Sequence, residues 1–154
     1  MRKVFVILAL FMAVSITAQT HEILKHNGEK VLINYIKTDT NLIYFSNPNS
    51  SEEGKISTYA VQSLKDQSSG LIQVISSKVN INKGFVFLKN NEIAGLKKVA
   101  ATSVFLGRPK GMSFNDLSVL KKRRLQEKAT QKEALFVVIT SETFDTIQAD
   151  LYSY

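Results

Sequence analysis

From Glu22 to Leu64 short apolar stretches alternate with polar turn residues, and the alternation has the period of strands. Glu22 to Lys25 reads as a first strand, and His26-Asn27-Gly28-Glu29 supplies the Asn-Gly pair that turns a hairpin. Lys30 to Lys37 places Val31, Ile33 and Tyr35 on one side and Leu32 and Ile36 on the other, so both faces are expected to be partly covered. Thr38 to Asn41 turns the chain into Leu42-Ile43-Tyr44-Phe45. The polar run Ser46 to Lys55, holding Pro48 and Gly54, is expected as an exposed loop before Ile56 to Tyr59. Ala60 to Leu64 closes the unit, entered through a single 3₁₀ turn.

Beyond Lys65 to Gly70, a turn or short linker, Leu71 to Ile75, Val79 to Ile81, Phe85 to Leu88 and Val99 to Leu106 read as further strands. Gly107 to Gly111, with Pro109 inside it, opposes any regular element. A helix is predicted over residues 113–130: Ser113 followed by Asp116 forms an approximate capping box, and good helix formers follow. Phe114, Leu117, Leu120, Leu125 and Ala129 share half of its wheel with Lys121, Arg124 and Lys128, while Lys122, Arg123 and Gln126 face away. Ala134 to Thr140, ALFVVIT, is an almost unbroken apolar run expected in a sheet centre, and Thr146 to Tyr154 is a last strand.

The stretch EILKHNGEKVLINYIKTDTNLIYF, followed by KISTYAVQSL, resembles the Sm-like or SH3-like modules of uncharacterised exported proteins of Bacteroidetes-type bacteria. The resemblance covers residues 22–64 and implies a small, strongly bent antiparallel barrel. It carries the fold and not RNA binding, because the loop residues on which that activity depends cannot be placed here. The predicted class is therefore α+β, mostly β. A signal segment at 1–18 is followed by a barrel-like module at 19–66 and an α+β module at 67–154 with its helix on a sheet.

The signal reading rests on Arg2 and Lys3 before the uncharged run Val4 to Val14, which is too short for the roughly 20 apolar residues of a membrane span. Cleavage near Ala18 would leave a secreted or periplasmic chain without cysteine, which removes thiol chemistry and leaves stability to packing. The net charge of +7 is uneven: residues 97–132 carry ten Lys or Arg against Asp116 and Glu127. Arg108, Lys110, Lys121, Lys122, Arg123 and Arg124 are the candidate anion contacts.

Catalytic signatures are sparse. Both histidines, His21 and His26, precede residue 27, and neither has the carboxylate spacing of a hydrolytic or zinc site. His21 would stand third from the amine of a chain cut after Ala18, an arrangement that can wrap Cu²⁺ or Ni²⁺, but cyclisation of Gln19 would remove that amine; no metal and no cofactor are expected. The expected function is a non-enzymatic exported binding or envelope-associated protein. Its partner would be a protein or an anionic envelope component, with a peripheral membrane contact open and nucleic acid not expected. Two alternatives stand beside it: a hydrolase using acidic residues, which needs two facing carboxylates, and a structural or assembly factor, which needs an exposed apolar patch.

Overall fold

The computed structural model describes residues 20–50, 52–80, 84–107 and 111–154; the expected signal segment, with Arg108 and Lys110, lies outside them. Among the described residues ten strands form two sheets, and one α-helix packs on the second, an α+β fold that is mostly β. The first sheet contains β1 (Thr20–Lys25), β2 (Lys30–Asp39), β3 (Leu42–Ser46), β4 (Glu53–Ser57), β5 (Val61–Asp66) and β6 (Ile72–Val74). The second contains β7 (Val86–Phe87), β8 (Lys97–Phe105), β9 (Phe136–Glu142) and β10 (Thr146–Ser153), with α1 (Phe114–Gln131) between β8 and β9 in sequence.

In the first sheet the order is β4-β3-β2-β1-β5-β6, antiparallel throughout. The Asn27-Gly28 turn forms as its residues require, with Gly28 at φ +88° and its amide donating to the Lys25 carbonyl at 3.0 Å. A 3₁₀ turn at Thr58–Ala60 leads into β5, and the Ser57 hydroxyl accepts from the Tyr59 amide. Inward-facing Ile23, Ile33, Ile43, Ile56, Val61 and Leu64 build one core.

The expected barrel does not close. Irregularities at Leu24/Lys25 and Tyr35/Lys37 bend the sheet, but β4 and β6 remain its two edges, and closure requires the edge strands to pair. Two local differences from the sequence reading accompany this. The loop after Ser46 ends earlier, because Glu53, Gly54 and Lys55 pair with β3, and the Gly54 backbone lies against the Phe45 ring. Leu71 to Ile75 contributes β6 to the first sheet, since the turn held by Asp66 returns the chain along β5.

The second sheet runs β7-β9-β10-β8, with β7 parallel to β9 and the other pairs antiparallel. The run of apolar residues at Phe136, Val137 and Val138 makes β9 an interior strand buried on both faces. Val137, with Ala149 and Leu151 of β10, meets Leu125 and Ala129 of α1, whereas Phe136 and Val138 pack with Leu88 and Tyr152 against Tyr59, Ile93 and Leu96. That second cluster joins the two sheets. Polar ties reinforce it: the Ser57 amide donates to the Ala94 carbonyl at 2.8 Å, and buried Glu92 accepts from the Asn41 side chain and the Lys89 amide. Gly95, at φ +84°, must be glycine, because a Cβ there would stand 2.6 Å from Ile56 Cγ1.

His26 sits at the same junction, its ring 4.8 Å from that of Tyr154. The Ser76 hydroxyl gives its one proton to the Val61 carbonyl at 2.8 Å, so at 2.9 Å His26 Nε2 must be the donor to Ser76 Oγ. Burial, and then the Lys78 ammonium, hold the His26 imidazole below its ordinary value of 6.5. The unfolded chain therefore takes up this proton first on acidification. The stability this provides is full above about pH 6.5 and is lost as pH falls through the lower folded value. Thermal unfolding should show a steeper fall in Tm between about pH 7 and pH 5 for the wild type than for His26→Gln, which keeps a side-chain donor without the titration.

Candidate functional site

The candidate site is built on α1. Ser113 caps its start: the hydroxyl oxygen accepts from the Asp116 amide at 3.2 Å while its proton goes to the Asp116 carboxylate at 2.6 Å. Asp116 lies at the positive end of the helix dipole and Lys128 near the negative end. Buried Leu117, Lys121, Leu125 and Ala129 recur every fourth residue and form the stripe that fixes how α1 lies on β8 and β10.

That stripe sorts the candidate cations. Lys121 is fully buried, its ammonium donating to the Thr143 carbonyl at 2.5 Å, 3.2 Å from Glu142 Oε1 and 5.5 Å from the centre of the Phe114 ring. It belongs to the packing of the helix on the β9–β10 hairpin and cannot contact a partner. Lys122 is half-buried. Arg123 and Arg124 keep 76% and 62% of their side chains exposed, and their shared acid, Glu127, is distant at 3.7 and 3.9 Å. Contacts of that length between solvated groups contribute little, so both guanidinium groups stay available. Lys128, by contrast, reaches over the free edge of β8 to donate to the Ser103 carbonyl at 2.6 Å.

Beside these cations stand residues to which the sequence reading gave no surface role. Val119 is 68% exposed on the helix, and Phe114, Leu120 and Met112 are exposed near its start. Phe144, at the tip of the β9–β10 hairpin, meets Phe114 in a tilted ring contact at 6.0 Å, and Phe105 is exposed where β8 ends opposite Thr146. A signal was present in the sequence: Val119 interrupts the polar face of the wheel, and Phe144 stands between Thr143 and Asp145 in a turn.

The acids of the β9–β10 hairpin are each engaged locally. Glu142 accepts from Ser118 at 2.8 Å and pairs with Lys121, whereas Asp145 accepts from Thr143 and Thr146 at 3.1 and 3.3 Å. A groove of about 560 Å³ over β8 and β10 is lined by Ala101, Ser103, Thr140, Gln148 and Asp150; its one carboxylate is held by Lys98 at 2.6 Å. His21 lies in β1 between β2 and β5 with its ring 5.2 Å from Tyr35. Wrapping a metal would require the Thr20 and His21 amides, which belong to a strand paired on both sides. Among the described residues no group of three or more His, Asp or Glu could hold a metal ion, and no helix is long and apolar enough to cross a membrane. The chain matches no family model, no curated protein and no solved structure.

Proposed function

We propose that this is an exported, non-enzymatic binding protein that uses the outer face of α1 to contact an anionic component of the cell envelope. The observation that carries this reading is the pair Arg123 and Arg124, both exposed, whose acid contact Glu127 stands at 3.7 and 3.9 Å. Arg123 projects from the middle of this face, with Lys122 and Arg124 flanking it about 100° to either side, and the buried stripe keeps the helix from turning. The signal segment read in the first eighteen residues supports an envelope polyanion over nucleic acid. Arg123→Gln/Arg124→Gln should elute from immobilised heparin at a clearly lower salt concentration than the wild type, with unchanged Tm. Equal elution would remove the helix face as the contact.

One observation favours a structural or assembly role instead. Strand β6 is a sheet edge that exposes Ile72 and Val74, with exposed Leu71 just before it; it is short, but it carries neither a charge nor a proline to block strand addition. That role predicts co-assembly that Val74→Lys abolishes and the arginine substitutions leave intact.

A further inference from the structure

Of the thirteen large apolar residues exposed among the described ones, Phe105, Met112, Phe114, Val119, Leu120 and Phe144 gather at one end of the second sheet, around the start of α1 and the β9–β10 turn. The ring contact of Phe114 with Phe144 and the hydrogen bond from Lys121 to Thr143 fasten the start of α1 to the β9–β10 turn, so the Phe114–Phe144 pair is a fixed apolar point with the other exposed side chains on the same two elements and the adjoining end of β8. The cations stand behind it. From Phe114 to Arg123 is nine residues, about 14 Å along a helix, and from Val119 to Arg123 about 6 Å.

We propose that this end of the molecule docks on an anionic phospholipid membrane, with the apolar tip in the interface and Lys122, Arg123 and Arg124 at the headgroups. The inference rests on the anion-facing reading of α1 and adds the identity of the surface. Two adjacent bands, apolar then cationic, match the two layers of such a membrane, whose hydrocarbon begins beneath its charged headgroups. An apolar face lying in the interface reaches about 5–10 Å towards the acyl chains, which places the arginines within about a Debye length of the phosphates. A soluble polyanion would satisfy the arginines and leave Phe114, Val119 and Phe144 in water. Contact is peripheral, since none of the described helices is long and apolar enough to span.

The chain contains no tryptophan, so Phe144→Trp gives a single reporter at the tip. Its emission should shift to shorter wavelength with vesicles of phosphatidylcholine mixed with phosphatidylglycerol and not with phosphatidylcholine alone. In sedimentation with the mixed vesicles, Arg123→Gln/Arg124→Gln should bind about thirtyfold more weakly. Phe114→Ser/Val119→Ser/Phe144→Ser should bind about ten- to a hundredfold more weakly while its retention on heparin is unchanged. If the triple variant does not fold, Val119→Ser alone should show a smaller loss in the same direction. An unshifted tryptophan, with binding that still depends on the arginines, overturns docking through the tip and leaves the anion contact standing. Binding to vesicles and heparin that ignores the arginine substitutions overturns both.

Discussion

Phe136→Ala should destabilise the protein by about 3–5 kcal/mol, the range for emptying a fully buried aromatic site. Phe136 is fully buried on β9, its ring 5.9 Å from Tyr59 and edge-on to Tyr154 at 5.4 Å. Tyr59 belongs to the 3₁₀ turn of the first sheet, while Tyr154 follows β10 of the second, so the cavity would open where the sheets meet. Neither sheet can collapse into it without disturbing the other. Tyr154 also accepts from the Val79 amide at 2.7 Å and meets the His26 ring, so its displacement would loosen the segment between the sheets. Since domains are stable by only about 5–15 kcal/mol, urea unfolding followed by circular dichroism should show a large fall in midpoint. Phe136→Leu, which refills most of the space, should recover much of it. A loss below about 1 kcal/mol for the alanine variant would mean that the two sheets do not share this core.

Lys121→Ala should cost about 3–5 kcal/mol, and Lys121→Met much less. The alanine variant removes the stem that packs between Leu117 and Leu125, takes the donor from the Thr143 carbonyl and deprives Glu142 of its cation. Methionine restores the volume and removes a costly buried charge, leaving Glu142 with Ser118 and solvent. The difference between the variants separates packing from charge. Acid sensitivity supplies an independent readout. Burial raises the Glu142 carboxyl, but the Ser118 and Lys121 hydrogen bonds, with the charges of Lys121 and Lys122, outweigh it and hold the group below 4.5. Its stabilisation is therefore present above about pH 4.5 and lost as pH falls through the lower folded value; removing Lys121 should weaken that dependence.

These two residues show where sequence was informative and where it was not. ALFVVIT announces an interior strand because no polar side chain interrupts the run through Ile139, and Phe136 lies there. The capping pair Ser113 and Asp116 marks the start of α1, and Asn27-Gly28 the first hairpin. Lys121 is different: the wheel places it in the core half, while its charge argues for solvent. What permits its burial is Glu142 with the Thr143 carbonyl, on a hairpin whose position relative to the helix no local pattern reveals. The open first sheet has the same origin. Strand spacing predicts five strands and a bend, but whether the edges meet depends on long-range packing, here on Leu96 and Ile75 joining the core that closure would have enclosed. For the candidate site, the cationic run at 121–124 was legible as charge. The division into one buried and three solvent-accessible cations, and the apolar tip beside them, required the tertiary contacts.

The most direct test of the anion-facing account is the salt dependence of wild-type binding to vesicles containing phosphatidylglycerol. Affinity should fall steadily as ionic strength rises, and the slope should flatten in Arg123→Gln/Arg124→Gln. Binding that is indifferent to salt, or that strengthens with it, would contradict a contact made by the cations of α1.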